Sequence, residues 1–244
     1  MTLDIKNLDI GYPGKTVLKN INLSAKKSDF ITLIGKNGAG KSTFLKTIAN
    51  ILPAKIGQII VNNQNITDLT NLDRSNLVSI VLTDKIDIPL KVYEFIALGR
   101  QNYTGFMANL RPKDISFIEK TIDYLNLKHL INRSITEISD GEYQKTLIAR
   151  ALVQDTPILL LDEPTTHLDL ENKALLIRQL REVSKNKIVI LSTHDLNLIL
   201  PKTDKIWLTK DGTITEYEKN KLPDNFFNQE LLKFDKNCEI FRLV

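Results

Sequence analysis

A glycine-rich segment, GKNGAGKS at residues 35–42, contains residue types at a spacing that suits the binding of a polyphosphate. It matches the pattern G-x-x-x-x-G-K-[ST], and it lies between a strand-like run and a helix-like run, as that pattern requires. The glycines expose backbone N–H groups and the helix N-terminus adds partial positive charge, so the loop can wrap a phosphate chain. Lys41 is predicted to reach the β- and γ-phosphates, and Ser42 to offer its hydroxyl to Mg²⁺. A flexible loop without a ligand is the alternative.

Two carboxylates end a second apolar run, ILLLDEP at residues 158–164. Charges placed against an apolar core are costly unless they are paired, so these side chains should have something to bind. We expect Asp162 to hold Mg²⁺ or its water, and Glu163 to orient and deprotonate an attacking water. Because an Asp-Glu-Pro turn after an apolar strand is common, this prediction depends on the glycine-rich loop in the same chain.

A histidine, His194, lies near the end of a third apolar run, KIVILSTHD at residues 187–195. Open α/β sheets bind ligands beyond the carboxyl ends of their strands, so this position favours contact with a γ-phosphate. A lone histidine is more often structural or exposed than catalytic. Its location at a strand end is therefore the whole basis of the prediction.

The segment ISDGEYQKTLIARAL at residues 138–152 begins like a capped helix. Ser139 suits the N-cap, Glu142 completes a capping box, and apolar residues then recur at helical spacing. Gly141 is an unexpected residue in the first turn, because glycine is a poor helix former. The capping box requires no ligand, so it does not explain this glycine.

These segments need a scaffold of helices and strands, and the sequence predicts an α/β fold. The first 30 residues read as an antiparallel, half-solvated sheet, whereas the apolar runs near residues 30–35, 158–162 and 188–192 suit a parallel sheet buried on both faces. From about residue 84 to 150 the pattern becomes helical. We predict one domain, residues 1–244, with this helical subdomain inserted.

Several shorter segments carry local predictions. Residues 58–66 read as one strand, and a hairpin is expected to turn at Asp211-Gly212. Residues 222–234 are predicted to form a short helix, and residues 237–244 a final strand.

The composition is that of a soluble cytosolic protein. The 244 residues include 42% hydrophobic and 25% charged residues, and a single cysteine, Cys238, excludes an internal disulfide. No stretch has the character of a signal peptide, and no apolar run approaches about 18 residues, so neither export nor a membrane span is expected. The net charge of +4 is spread along the chain, and we expect no nucleic-acid partner.

Taken in order, GKNGAGKS, ISDGE, ILLLDEP, HLD (residues 167–169) and STHD resemble the motifs of the ATP-binding-cassette (ABC) ATPases. The resemblance extends over the chain from about Thr2. It implies a P-loop NTPase core with a mainly parallel sheet, an N-terminal antiparallel β subdomain and an inserted helical subdomain. It also implies that the chain binds and hydrolyses ATP with Mg²⁺.

The resemblance assigns roles to individual residues. Asp162 matches the Walker B aspartate, Glu163 the catalytic glutamate, His194 the switch histidine and Asp169 the D-loop aspartate. Tyr12 matches the aromatic that stacks on adenine, although a turn aromatic on an edge sheet is an equal alternative. The Walker A loop is matched by Gly35, Lys36, Asn37, Gly38, Ala39, Gly40, Lys41, Ser42 and Thr43.

In this family two cassettes pack head to tail, and the signature helix of each closes over the ATP of the other. By the resemblance, the Ser139 hydroxyl and the Gly141 N–H contact the partner's γ-phosphate. The sequence ISDGE departs from the family's usual LSGGQ, because Asp140 and Glu142 place two carboxylates near that phosphate. The capping box accounts for Glu142, but no partner for Asp140 is evident from the sequence.

A second departure concerns the strand after Walker A, LVSIVLTDK at residues 77–85. The family normally has a glutamine at its end, which joins Mg²⁺ and relays movement to a membrane partner. Here Thr83 occupies that position, and its hydroxyl is a candidate for water or the metal. The carboxylate of the adjacent Asp84 is a stronger candidate for the same contact.

The segment KVYEFIALGRQNYTGF at residues 91–106 is similar to V-x-E-x-x-x-L-G-R-x-P-Y of importer ATPases for iron-siderophore, haem and cobalamin. An ordinary amphipathic helix closed by Gly-Arg is the alternative. The resemblance implies a homodimer beneath a polytopic permease at the cytoplasmic face of the membrane, with cargo delivered by a substrate-binding protein. An exporter ATPase, a soluble cassette in cofactor assembly and an inactive binding module are the other hypotheses.

Overall fold

The computed structural model describes residues 1–104 and 109–218, and the backbone of residues 232–235 and 240–243. Short 3₁₀ helices occur at Ile66–Asp68, Leu98–Arg100, Lys128–Leu130 and Leu200–Lys202. The described α-helices are α1 (Lys41–Ile48), α2 (Asn71–Leu77), α3 (Val92–Ala97), α4 (Gln101–Thr104), α5 (Pro112–Tyr124), α6 (Asp140–Val153), α7 (Leu170–Ser184) and α8 (Leu196–Ile199). The described strands are β1 (Thr2–Tyr12), β2 (Lys15–Lys26), β3 (Phe30–Gly35), β4 (Ile56–Val61), β5 (Gln64–Asn65), β6 (Val78–Val81), β7 (Ile158–Asp162), β8 (Ile188–Ser192), β9 (Lys205–Lys210), β10 (Thr213–Glu218), β11 (Leu232–Asp235) and β12 (Ile240–Leu243).

A six-stranded sheet in the order β10-β9-β3-β8-β7-β6 forms the centre of the molecule. Every pair in it is parallel except the hairpin β9–β10. Successive residues of β7 alternate between two cores: Leu159 and Leu161 face one, and Ile158 and Leu160 face the other. Burial on both faces explains why these strands are continuously apolar, and it confirms the predicted α/β class.

The antiparallel sheet expected in the first part of the chain is present, in the order β2-β1-β4-β5. Its strands alternate between buried and exposed residues, as a sheet with one solvated face does. The buried residues, such as Leu3 and Ile21, join the core that also contains Leu160 of β7 and Phe44 of α1. This sheet therefore covers one face of the central sheet.

Helices α3, α5 and α6 lie over the opposite face. Phe95 of α3, Ile118 of α5 and Ile148 of α6 are each almost fully buried, and they share a core with Leu159 and Leu161 of β7. Among the residues that the structure describes, no helix has the length and apolar character needed to cross a membrane.

A buried ion pair holds these helices together. Arg100 donates hydrogen bonds from Nε and Nη2 to Asp114 Oδ1, at 3.1 and 2.7 Å, and from Nη1 to the carbonyl of Val153, at 2.9 Å. Asp114 is fully buried, and the half-exposed Arg111 donates from Nε to its other oxygen. Arg100, the arginine of the LGR segment, thus joins the 3₁₀ turn after α3 to α5 and to the end of α6.

Replacing Arg100 with Met should lower the free energy of unfolding by about 3–5 kcal/mol, because it leaves the buried Asp114 carboxylate without its main partner. Chemical denaturation of the purified chain measures this loss. Arg111→Met is the matched control, and it should cost less than about 1 kcal/mol because Arg111 is partly solvated. Equal effects of the two variants would contradict this account of the pair.

The same pair predicts how stability depends on pH. Burial raises the pKa of Asp114, but hydrogen bonds from Arg100 and Arg111 outweigh it and bring the pKa from 3.8 to about 2. Since the folded-state pKa is depressed, this contribution is present above the unfolded value and is lost as pH falls from about 4 to about 2. Arg100→Met should show a smaller loss over this interval.

The structure departs from the local predictions at three places. Residues 58–66 form two strands instead of one, because Asn62 and Asn63 both have positive φ and close a hairpin. The connection before β6, which the sequence predicts to be rich in turns, contains helix α2, and Thr70 caps this helix by accepting from the Asp73 N–H. The predicted helix at 222–234 is wrong at its end, where β11 begins, and its first part lies outside the described residues.

Other local predictions are confirmed. Asp211 and Gly212 have positive φ and turn the β9–β10 hairpin, and β12 lies within the final strand predicted for residues 237–244. The last two residues of the importer-like segment, Gly105 and Phe106, lie outside the described residues.

Candidate active site

The glycine-rich loop leaves β3 and enters α1 as the pattern requires. Gly40 is the N-cap of α1 with φ 97°, a conformation that other residues rarely adopt. A Cβ at Gly40 would also approach Val17 Cγ1 to 2.7 Å, so both conformation and space demand glycine there. Gly38 has φ 75°, and a Cβ there would meet nothing within 4 Å. Glycine is therefore favoured at this position by the backbone conformation alone.

The Lys41 side chain folds back across this loop. Its Nζ donates to the carbonyls of Gly35 and Lys36 at 2.9 and 3.2 Å. Burial lowers the pKa of Lys41, and the charges of Glu163 and Asp162 act against that shift. The ammonium group is thus held beside the loop, in the field of both carboxylates.

A cavity of about 580 Å³ opens beside the loop. Tyr12, at the end of β1, lies at its rim with 45% of its surface exposed, and its hydroxyl is 3.4 Å from Thr43 Oγ1. Residues 37–43 and Glu163 line the same cavity. The structure thus brings Tyr12, the loop and Glu163 together, although they are distant in sequence.

Ser192, at the end of β8, positions the two carboxylates at the end of β7, Asp162 in the strand and Glu163 just after it. Its hydroxyl donates to Asp162 Oδ1 at 2.6 Å and accepts the N–H of Glu163 at 3.0 Å. The same N–H lies 3.2 Å from the Ser192 carbonyl, and Glu163 has the uncommon φ of 49°. Because several contacts hold this conformation, the Glu163 side chain is turned out of the strand and toward the cavity.

His194 lies against Glu163, with 2.6 Å between His194 Nε2 and Glu163 Oε1. His194 lines a second cavity of about 720 Å³, whose lining also includes Gly35, Lys36 and Asn37 of the loop. The histidine, the glutamate and the phosphate-loop residues therefore converge at the carboxyl edge of the central sheet, as the strand-end argument predicts.

The predicted capping box of α6 is confirmed. Ser139 Oγ accepts the Glu142 N–H at 3.3 Å and donates to Glu142 Oε2 at 2.8 Å, and the same oxygen accepts the Ser139 N–H at 2.8 Å. Hydrogen bonds from Ser139, with a further contribution from His129, hold the pKa of Glu142 below its usual value. Glu142 is thereby kept on its own helix end.

The structure supplies a local reason for Gly141. A Cβ at this position would lie 3.0 Å from the His167 carbonyl oxygen and 3.1 Å from Leu168 Cδ2, so the segment before α7 packs directly on the first turn of α6. Asp169 is the N-cap of α7 and accepts the Asn172 N–H at 2.8 Å. The glycine thus permits a close approach within one chain.

Several predicted site residues do not line the cavity beside the loop, among them Asp162 and His194, which Ser192 and Glu163 contact. Among the described residues, those that line this cavity include none of Ser139, Gly141, Asp169 and Thr83. Thr83 leaves β6 two residues after Val81, which pairs with Leu161, and so it emerges at the same sheet edge as Glu163. Ser139 and Gly141 lie in the first turn of α6, with their own neighbours.

Sequence reasoning missed two residues of this region. Ser192 stands in the STHD motif, but nothing in its type or spacing shows that it bonds to Asp162. Lys85 lies 3.0 Å from Asp140, the residue for which the sequence suggested no partner. The only feature of the sequence that could have indicated this pair is the basic residue two positions after Thr83.

Comparison with known proteins agrees with this geometry. The family model for the ABC transporter matches residues 18–166, which is more than half of the chain. An ABC transporter ATP-binding protein of Methanocaldococcus jannaschii is 36% identical over 94% of this chain and 79% of its own length. An iron(3+)-hydroxamate import ATP-binding protein of Bacillus subtilis is 31% identical, over 87% and 80% respectively.

A solved structure shows the same fold. A dimeric ATP-binding cassette in a post-hydrolysis state, bound to ADP and phosphate, superposes with a TM-score of 0.79 at 26% identity, covering 89% of this chain and 98% of that one. This chain belongs to the ABC transporter family. It is an ABC-type ATPase of the kind found in importers, and the fold and family predictions are confirmed.

Proposed function

We propose that this chain is the ATPase subunit of an importer for a metal chelate of the iron-siderophore, haem or cobalamin type, and that it drives a separate membrane permease. The observation that carries the proposal is the contact between Glu163 and His194 at the edge of the cavity beside the glycine-rich loop. It provides a base and its orienting partner next to a site for a triphosphate. The import relative of Bacillus subtilis supports the choice of cargo class.

The cavity suits ATP as the substrate. We assign the loop residues from Gly35 to Thr43 to the phosphates, with Lys41 moving from its two carbonyl partners to the β- and γ-phosphates. We assign Tyr12, half-exposed at the rim, to stacking on the adenine.

The residues present also suit Mg²⁺, which prefers oxygen ligands. Ser42 offers a hydroxyl, and Asp162 offers Oδ2 while Ser192 holds its Oδ1. Bound Mg²⁺ would neutralise charge on the β- and γ-phosphates. We keep Thr83 as a candidate for an indirect contact through water, because it emerges at this edge of the sheet.

Hydrolysis then requires a water aligned with the γ-phosphate. Glu163 accepts a proton from this water as it attacks, and the attack breaks the bond to the β-phosphate, so ADP and phosphate leave. His194, in contact with Glu163 Oε1, holds the carboxylate in orientation and lies where it can also reach the γ-phosphate. Lys41 stabilises the charge that develops on the transferred group.

The second half of the site comes from another copy of this chain. Ser139, Gly141 and Asp169 are not among the described residues that line the cavity beside the chain's own loop, and the N-terminus of α6 is suited to an anion. We propose a head-to-tail homodimer in which these residues meet the partner's ATP. The dimeric cassette with ADP and phosphate supports this arrangement.

The permease needs a docking surface next to Thr83. A groove of about 360 Å³ lies there between β6 and α6. Its lining combines apolar residues, such as Leu82 and Leu147, with the polar Asp84, Arg150 and Gln154. We assign this groove to a helix of a polytopic permease. The subunit then lies at the cytoplasmic face of the membrane, and a substrate-binding protein delivers cargo on the far side.

Co-expression of the chain with candidate permeases from the same genome tests this function. The complex should be recovered together, and its ATPase in lipid vesicles should rise when binding protein loaded with a ferric hydroxamate, haem or cobalamin is supplied at the external face. The same complex carrying Glu163→Gln is the control, and it should show no stimulated turnover. A chain that binds no permease, or a complex stimulated only by cargo at the ATPase side, would contradict import.

A further inference from the structure

The loop after β6 is attached to the N-terminus of α6 by three contacts. Lys85 Nζ lies 3.0 Å from Asp140 Oδ1 and 5.8 Å from the centre of the Tyr143 ring. The N–H of Ile86 donates to the Tyr143 hydroxyl at 2.8 Å. Two consecutive loop residues thus bind the first turn of the helix that carries the signature sequence.

The same loop also contacts the helix of the phosphate loop. Asp84 Oδ2 lies 3.9 Å from Lys46 Nζ, and Lys46 is in the last turn of α1. Adjacent residues of opposite charge therefore face two different helices, Asp84 toward α1 and Lys85 toward α6. The pattern of charges specifies which residue faces which helix, because exchanging them would place like charges together.

The first turn of α6 has an electrostatic conflict that this loop can resolve. Asp140 and Glu142 stabilise the helix N-terminus, but two carboxylates repel a phosphate that approaches the same N–H groups. Glu142 is engaged by Ser139 and lies 3.6 Å from His129 Nε2. Asp140 has Lys85, whose hydrogen bond and charge hold the pKa of that carboxyl below its usual value.

We propose that Lys85 is a positioning residue for ATP-dependent dimerisation: it neutralises Asp140 and fixes the first turn of α6, so that the signature end of the helix stays attractive to the γ-phosphate held by a second copy. This inference rests on the head-to-tail dimer proposed above. It joins the two departures of this chain from its family, since Asp140 of the signature is paired with Lys85, two positions after the unusual Thr83.

The pair acts by charge and not by burial. Both side chains are 58% exposed, so the contact is solvated and should add little to the stability of the monomer. Its effect should grow when ATP brings the negative charge of its γ-phosphate, which Mg²⁺ offsets only in part, close to Asp140. Loss of Lys85 should therefore weaken ATP-dependent dimerisation and leave the stability of the monomer nearly unchanged.

The test uses Glu163→Gln as background, so that hydrolysis does not disperse the dimer, and it measures the ATP concentration at which half of the chain dimerises. Adding Lys85→Ala should raise this concentration about threefold, the order of one solvated charge contact. Lys85→Arg should restore it. Lys113→Ala, which removes an exposed positive charge of α5, is the matched control and should have no effect.

A double-variant comparison separates pairing from other roles of Lys85. With Asp140→Asn in place, Lys85→Ala should have no further effect, because no carboxylate remains to neutralise. Raising the salt concentration to about 1 M should reduce the effect of Lys85→Ala, since screening then shortens the reach of charges to about 3 Å. Affinity of the monomer for ATP and its melting temperature should not change.

Each contrary outcome has a distinct meaning. If Lys85→Ala is as harmful with Asp140→Asn as without it, Lys85 does not act through Asp140 and the inference is wrong. If Lys85→Ala lowers the melting temperature of the monomer as well as weakening dimerisation, the contact is structural only. If the Glu163→Gln background does not dimerise with ATP at all, the proposed dimer itself fails, independently of Lys85.

Discussion

Replacing Glu163 with Gln should abolish ATP hydrolysis while ATP binding is retained and an ATP-bound dimer accumulates. The amide keeps the shape of the side chain, and its N–H or oxygen can still meet His194, but it cannot accept a proton from water. Loss of a general base typically costs about 10²–10⁴ in rate. Phosphate release measures the loss, and size-exclusion chromatography with and without ATP measures the dimer.

The backbone of the site should survive this change. The unusual φ of Glu163 is held by Ser192 through the backbone N–H, which Gln also has. Glu182→Gln on α7 is the matched control, because Glu182 is an exposed carboxylate paired with Lys185 far from the loop, and its turnover should equal that of the unmodified chain. Hydrolysis that continues in Glu163→Gln would assign the base to another residue, and loss of ATP binding would show that Glu163 holds the nucleotide.

The parts of this site that could be predicted from the sequence are those specified by local rules. Turn geometry requires glycine at Gly40, a capping box requires Ser139 and Glu142 at fixed spacing, and burial on both faces makes β7 and β8 continuously apolar. The carboxyl ends of parallel strands lie at one edge, so the approach of His194 to Glu163 follows from topology.

The parts that could not be predicted depend on contacts between distant residues. Lys85 and Asp140 are 55 positions apart, and neither belongs to a pattern that indicates the other. From the sequence, Asn62 and Asn63 read as polar residues within one continuous strand. Their positive φ, which the sequence does not show, makes the turn that separates β4 from β5. Ser192 is one of many serines, and its role follows from the register that places it opposite Asp162.

At Gly141 a structural reason for glycine coincides with the functional role that we propose for it. Its Cα faces the His167 carbonyl so closely that a side chain would require that segment to move. In the proposed dimer, the same absence of a side chain leaves the end of α6 accessible to the partner's γ-phosphate. A substitution of Gly141 would disturb the contact with His167 within the chain as well as the proposed contact with the partner's phosphate. It would therefore not separate the two roles. Ser139 is the better residue with which to test the outward-facing role of this helix end.

Replacing Ser139 with Arg should abolish ATP-dependent dimerisation and turnover while leaving the affinity of the monomer for ATP nearly unchanged. The long side chain would stand between α6 and the partner's γ-phosphate, whereas the chain's own nucleotide cavity has no described lining residue from α6. Loss of the N-cap should also cost about 1 kcal/mol of stability. Ser139→Ala also loses the N-cap but adds no bulk, and it is therefore the control for this loss of stability. Equal loss of monomer binding and turnover in Ser139→Arg would show that α6 contributes to its own chain's site.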